Sequence, residues 1–198
     1  MYFQRSWCNI VEALPSGLTF CRGWDLGASF PTADNPDPDW TTGTLIGLHK
    51  DGRIFVVDHV FDRVGPLQVR QMIKGTAQID RAQYGRVITA YPQDPGQAGK
   101  SQAQEFSVML KGFEFTSRPV TGDKVTRFGP FSAQAEAGNV YVLRGPWNKR
   151  WFDELENFPP GTGHDDDADS TAEAYNALTR PRANLVTGRY GQGTRRRG

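Results

Sequence analysis

Cysteine is scarce in this sequence, no apolar run is long, and the charges nearly cancel; each lack closes a class of function. The two cysteines, Cys8 and Cys21, have no Cys or His partner at metal-ligand spacing, so a thiolate zinc site is not expected and buried free thiols are. No apolar stretch approaches the roughly 18 residues of a membrane span, and no charged N-terminal region precedes an apolar one as in a secretory signal. A soluble, intracellular protein without a membrane partner is expected. Lys plus Arg number 23 against 22 Asp plus Glu, so the total charge announces no nucleic-acid partner. The distribution is less even. After Glu173 come only Arg180, Arg182, Arg189 and the run Arg195, Arg196, Arg197. The length suits one unit, residues 1–180, followed by a basic tail, 181–198, of the kind that is ordinarily a solvated end.

Along the chain, strand and helix signals alternate, which favours an α/β domain. Residues 18–24 form a short apolar run, and strands over 44–48 and 53–60 flank Lys50-Asp51-Gly52, whose Asp-Gly pair is a hairpin signal. Three neighbouring antiparallel strands are expected. Helical spacing over 66–84 ends at Gly85, and 86–91 reads as a buried strand. Then come a helix (101–111), a strand (113–118), a helix (124–137), a strand (140–143) and a helix (149–157). A final helix runs from about 165 to 178 and stops before Pro181. An antiparallel meander followed by strand-helix alternation on the same sheet is the order of an RNase H-like fold: a mixed sheet flanked by helices.

That order gathers carboxylates. Asp25 ends the first strand, where Gly27 lets the chain leave, and Asp94 follows strand 86–91, just before Pro95-Gly96. If those strands are neighbours, both acids emerge at one edge of the sheet. The third contribution is His164-Asp165-Asp166-Asp167-Ala168-Asp169. On a helix Asp166 and Asp169 share a face, Asp165 and Asp169 share one too, and Asp167 points elsewhere, either to solvent or to tune the site. Clustered carboxylates resist ionisation unless a cation is bound. Oxygen ligands without Cys suit Mg²⁺ or Mn²⁺, and a pair of such ions can serve both oxygens of a phosphodiester displacement. Helix N-terminal acids favoured by the macrodipole account for one or two of these residues, not for all.

Other features carry less. Gly96-Gln97-Ala98-Gly99-Lys100-Ser101 ends like a phosphate-binding loop but has Asp94 where the first glycine belongs. The stretch 34–39, with Asp34, Asp37 and Asp39 between prolines, lacks the glycine and closing glutamate of a calcium loop and reads as an exposed loop. Asp58 and Asp62 read as edge charges, and His49 and His59 as solvated or packed histidines. His164 caps the last helix, positions water or touches a phosphate. Lys100, Lys124 and Arg127 each begin a helix after a strand and are the basic candidates for DNA contact. Trp147, Trp151, Phe152 and Phe158 belong to the core beneath the final helix.

Taken in order, Arg22-Gly23-Trp24-Asp25-Leu26-Gly27, the run from Pro92 to Lys100 with its Asp94-Pro95-Gly96, Gly122-Asp123-Lys124-Val125-Thr126-Arg127, and Phe158-Pro159 followed by His164-Asp165-Asp166 and Asp169 resemble one family. It is the C-terminal nuclease domain of the large terminase subunit of tailed bacteriophages. The resemblance covers most of the chain. It implies two-metal cleavage of double-stranded DNA with little sequence preference, in the cytoplasm of the bacterial host. It implies Asp25 and Asp94 as strand-borne metal ligands, and Asp166 with Asp169 as the helix-borne pair for which Asp165 can substitute. It further implies an N-terminal ATPase domain, a portal ring and a small terminase subunit as partners, and hence a chain trimmed from a longer one. Two other readings stay open: a junction-resolving or integrase-like nuclease, and a non-catalytic module that docks DNA or a portal.

Overall fold

Gly52 takes φ +93°, which closes a tight turn in which the His49 amide donates to the Arg53 carbonyl at 2.9 Å. The turn joins two of the strands. The computed structural model describes residues 2–27, 29–93, 96–119, 121–159 and 163–179. In chain order these form β1 (Asn9–Val11), β2 (Thr19–Asp25), β3 (Thr41–Leu48), β4 (Ile54–Asp62), α1 (Pro66–Tyr84), β5 (Val87–Gln93) and α2 (Gln97–Met109). There follow β6 (Glu114–Pro119), α3 (Lys124–Glu136), β7 (Val140–Leu143), α4 (Asn148–Glu156) and α5 (Asp166–Thr179). The strands make one sheet of order β1-β7-β4-β3-β2-β5-β6. The β2–β3 and β3–β4 pairs are antiparallel, and β2–β5, β5–β6, β4–β7 and β1–β7 are parallel. The expected meander with parallel extensions is present. Sequence reading missed the short edge strand β1 and started α2 and β3 several residues late, because both begin in polar or glycine-containing sequence. The expected basic tail, 181–198, lies outside the described residues. No helix among the described residues is long and apolar enough to cross a membrane.

Strand β2 organises the two faces of the sheet by its period of two. On one side Cys21 packs against Ala177 and Leu178, while Gly23 lies against the backbone of α5. On the other, Trp24 joins Val69, Ile73, Tyr91 and Phe106 beneath α1 and α2. Arg22 also points to that side. Its guanidinium is buried and grips Asp80 through Nε at 2.6 Å and Nη2 at 2.7 Å, while Nη2 also reaches Asp58 at 2.7 Å and Nη1 the Gly43 carbonyl at 2.9 Å. Asp58, itself half-exposed, is therefore a partner of the buried Arg22 rather than a plain edge charge. The larger core lies on the α5 side, where Trp147, Trp151, Phe152 and Phe158 pack with Phe3, Phe128 and Phe131, as expected of these aromatics.

The approach of α5 to the sheet requires a glycine at position 23. A Cβ there would sit 2.2 Å from the Ala174 nitrogen and 2.3 Å from the Ser170 oxygen, both backbone atoms that cannot swing away. Gly23→Ala is expected to destabilise the fold by on the order of 3 kcal/mol, through displacement of α5. Urea unfolding measures this; a loss near zero would mean that α5 does not sit this close to β2.

Candidate metal centre

Asp25 ends β2 on the face covered by α5, two residues beyond Gly23, so the close helix-sheet contact sets the distance between Asp25 and the helix start. The first turn of α5 carries Asp166, Asp167 and Asp169. Thr42 on β3 anchors this turn by donating from Oγ1 to the Asp166 carbonyl at 2.8 Å. The result is a cleft of about 460 Å³ whose lining includes Asp25, Asp39, Asp165, Asp166, Asp169, Lys124, Arg127 and Pro92. Strands β2 and β5 are parallel neighbours, with Gly23 opposite Ala90, so their C-terminal ends lie side by side as anticipated. Asp94 itself lies outside the described residues.

The carboxyls of Asp25 and Asp166 are in hydrogen-bonding contact. Burial first, then the charges of Asp169 and Asp166, push Asp25 well above the usual carboxylate range. Asp166 is also raised, chiefly by burial; the charge of Asp39 adds to the rise, while the Trp40 amide at 3.1 Å and the Asp25 hydrogen bond oppose it. Asp165 and Asp169 are placed differently. Lys124 Nζ pairs with Asp165 and, at 3.1 Å, with Asp169, and Arg127 also pairs with Asp169. Burial would lower the Lys124 pKa, but its bonds to these two acids more than offset this and raise it. Two of the basic residues expected to face DNA are thus bound to the acids of the cleft. The third, Lys100, is exposed on α2 and is not among the described residues lining the cleft.

Asp167 faces the opposite way and is fully buried, not turned to solvent. Its carboxylate lies 3.1 Å from His59 Nε2 and 3.3 Å from Arg150 Nη2, and its amide donates to Glu154 Oε1 at 2.6 Å. His59 Nδ1 meets Thr44 Oγ1 at 3.1 Å; Thr44 in turn meets Ser170 at 2.9 Å and Thr171 at 3.3 Å. This polar seam behind the cleft fixes the rotation of α5 about its axis, and hence the aim of Asp166. Burial and the charge of Asp167 push Glu154 up to about 8.

The acids of the loop 34–39 are exposed as expected, but Pro38 is buried and the end of the loop folds back against α5. Gly27 permits this, since a Cβ there would stand 2.2 Å from the Asp39 carbonyl oxygen. The Trp40 ring is flanked by the guanidinium carbons of Arg63 at 4.1 Å and Arg150 at 4.2 Å. Asp39 and Trp40 thereby join the site, and sequence reasoning did not find them. The alternation of acids in 34–39 was the one available signal, and it reads equally well as solvated loop. His164 contacts Asp37, Asp39 and Asp166 rather than serving only as a cap.

A mixed seven-stranded sheet with an acid at the end of a central strand, meeting acids at the head of a covering helix, is the arrangement of an RNase H-like domain. Residues 22–178 match the family model of the terminase RNaseH-like domain, and the chain belongs to this family. The large terminase nuclease of thermophilic phage G20c with bound zinc superposes with a TM-score of 0.62 at 20% identity, covering 86% of this chain and 94% of that one. The same nuclease with bound magnesium gives 0.62 at 18% identity, over 86% and 93%. The human cytomegalovirus terminase nuclease domain, manganese-soaked and inhibitor-bound, gives 0.62 at 8% identity, over 87% and 92%. A comparison with curated protein sequences found no match.

Proposed function

We propose that this chain is a divalent-metal-dependent endodeoxyribonuclease that cuts double-stranded viral DNA concatemers during genome packaging, with little sequence preference. The observation that carries the reading is the gathering of Asp25, Asp165, Asp166 and Asp169 around one cleft, where burial and the neighbouring acids hold Asp25 high, a crowding that a dication relieves. The all-oxygen set of Asp25, Asp165, Asp166 and Asp169, joined by Asp94, fits Mg²⁺ or Mn²⁺. The metals bound to the similar nucleases support such an ion here. When bound, a pair of such ions supplies Lewis-acid stabilisation to the attacking and leaving oxygens of the phosphodiester.

The protein's own groups do the rest. Asp25 and Asp166 gather negative charge on a rigid strand end and helix head. Lys124 and Arg127 orient Asp165 and Asp169 and stand in the cleft as donors for the DNA backbone, while Lys100, exposed on α2 away from the cleft lining, and His164 are further contacts in this reading. In this reading the ATPase domain of a large terminase subunit, a portal and a small terminase subunit act with the chain in the cytoplasm of the bacterial host.

The test is incubation of the purified chain with supercoiled plasmid in Mn²⁺, Mg²⁺ or EDTA, beside a four-way junction of equal length. Nicked and linear plasmid with either metal and none with EDTA is expected. Cutting indifferent to EDTA overturns the metal reading. Preference for the junction over duplex replaces the packaging nuclease with a resolvase.

A further inference from the structure

We propose that Arg118 is a substrate-binding residue whose guanidinium grips the phosphodiester backbone of the DNA strand lying in the cleft. The inference deepens the nuclease reading above and rests on it for the identity of the ligand. Strand register places the residue. Along the parallel strands β2, β5 and β6, Cys21 pairs with Ile88 and Ile88 with Glu114; two residues on, Gly23 pairs with Ala90 and Ala90 with Thr116. Pro92 pairs with Arg118 in the following row, two residues beyond Gly23 and Ala90, which is the level of Asp25. Side chains alternate with a period of two, so Arg118 stands on the same face of the sheet as Asp25.

Neighbouring strands lie about 4.8 Å apart, which sets the backbones of Asp25 and Arg118 roughly 10 Å from each other, with Pro92 between them. Proline has no polar side chain. The floor between the acid and the cation therefore carries no side-chain donor or acceptor to compete for either, and all three residues line the cleft.

Charge singles out Arg118 among the cations there. Lys124 is bound to Asp165 and Asp169, and Arg127 to Asp169. Acids outnumber cations along the lining, yet Arg118, half-buried, makes no hydrogen bond or ion pair with any described residue. Its whole planar fork of N–H donors is left for an incoming anion, and a phosphate meets that fork in two parallel bonds. The surrounding carboxylates repel a polyanion, so a cation not already neutralised by them is what draws the backbone in.

Fluorescence anisotropy of the full chain with a labelled DNA duplex, in EDTA and across a range of salt, tests the inference. Arg118→Ala is expected to weaken binding about 10-fold and to flatten the slope of log affinity against log salt by about 0.9, the share of one phosphate contact. Arg118→Lys should keep the slope and lose most of the affinity, because it keeps the charge without the fork. Melting temperature should not change in either variant, since Arg118 has no partner to lose. Arg86→Ala is the control: Arg86 pairs with Glu114 at the opposite end of these strands and should leave binding as in the wild type. Wild-type affinity and slope in Arg118→Ala overturn the proposal, as does an equal loss in Arg86→Ala or a wild type that binds no duplex at low salt. Binding that depends on Arg118 in a chain that cuts nothing with Mn²⁺ supports the contact and sinks the nuclease reading alone. Metal-dependent cutting by a chain whose DNA affinity ignores Arg118 does the reverse.

Discussion

Asparagine at Asp25 or at Asp166 is expected to reduce metal-dependent plasmid cleavage by at least ~10³-fold while raising the melting temperature of the metal-free protein. The two effects have one cause. Both carboxyls are pushed above their ordinary range, by burial first and then by neighbouring acids, so the folded state holds protons more tightly than the unfolded chain. Stability from such groups is fully present below the unfolded carboxylate pKa and is lost as pH rises through the folded value. At neutral pH without metal the wild type therefore carries a penalty that asparagine removes. A dication reverses the order. Metal at a hundredfold excess over its Kd should stabilise the wild type by about 2.7 kcal/mol, and Asp25→Asn far less. Gel assays of supercoiled plasmid and thermal melts in EDTA, Mg²⁺ and Mn²⁺ check both halves. Cleavage that survives in both variants would remove these acids from the centre.

A second large effect is expected behind the cleft. Glu154→Gln should stabilise the protein by on the order of 3 kcal/mol at pH 8 and have little effect at pH 4. Glu154 is buried beside Asp167 and is pushed up to about 8 by that burial and by the Asp167 charge. Its sign is again that of a raised acid: the stability it gives is complete below the unfolded value near 4.5 and disappears as pH climbs towards about 8. Glutamine keeps an acceptor for the Asp167 amide, 2.6 Å away in the wild type, and removes only the charge. Urea unfolding across this pH range is the measurement. An equal effect at both ends would mean that Glu154 acts by packing and not by its proton.

That Asp25, Asp166 and Asp169 share one cleft was legible because each position rests on local geometry: a strand end just before a glycine, and a spacing of three on a helix. The meander was legible for the same reason, from one Asp-Gly turn between two apolar runs. Asp39 was not. It lies 126 residues or so from its partners, as the contact of neighbouring Trp40 with Asp166 shows, and its path depends on a glycine contact and an arginine stack. Arg22 offered a charge inside an apolar run, yet its partners Asp58 and Asp80 stand 36 and 58 positions away. Lys124 and Arg127 were identified as basic residues at a helix start, which is correct, but not as counter-charges to Asp165 and Asp169, which stand about 40 positions further on.

The sequence alone determined the order of strands and helices, the covering of one sheet by amphipathic elements, and the residue types available for chemistry, because periodicity and turn formation act over a few residues. The tertiary structure decided which acids meet and which are neutralised. It sent Asp167 into a buried seam with His59 and Glu154, gave Asp165 and Asp169 to Lys124 and Arg127, and brought Asp39 and His164 to the free side of Asp166. Those outcomes depend on sheet order and on backbone approach at Gly23 and Gly27, distances that arise only when remote segments pack.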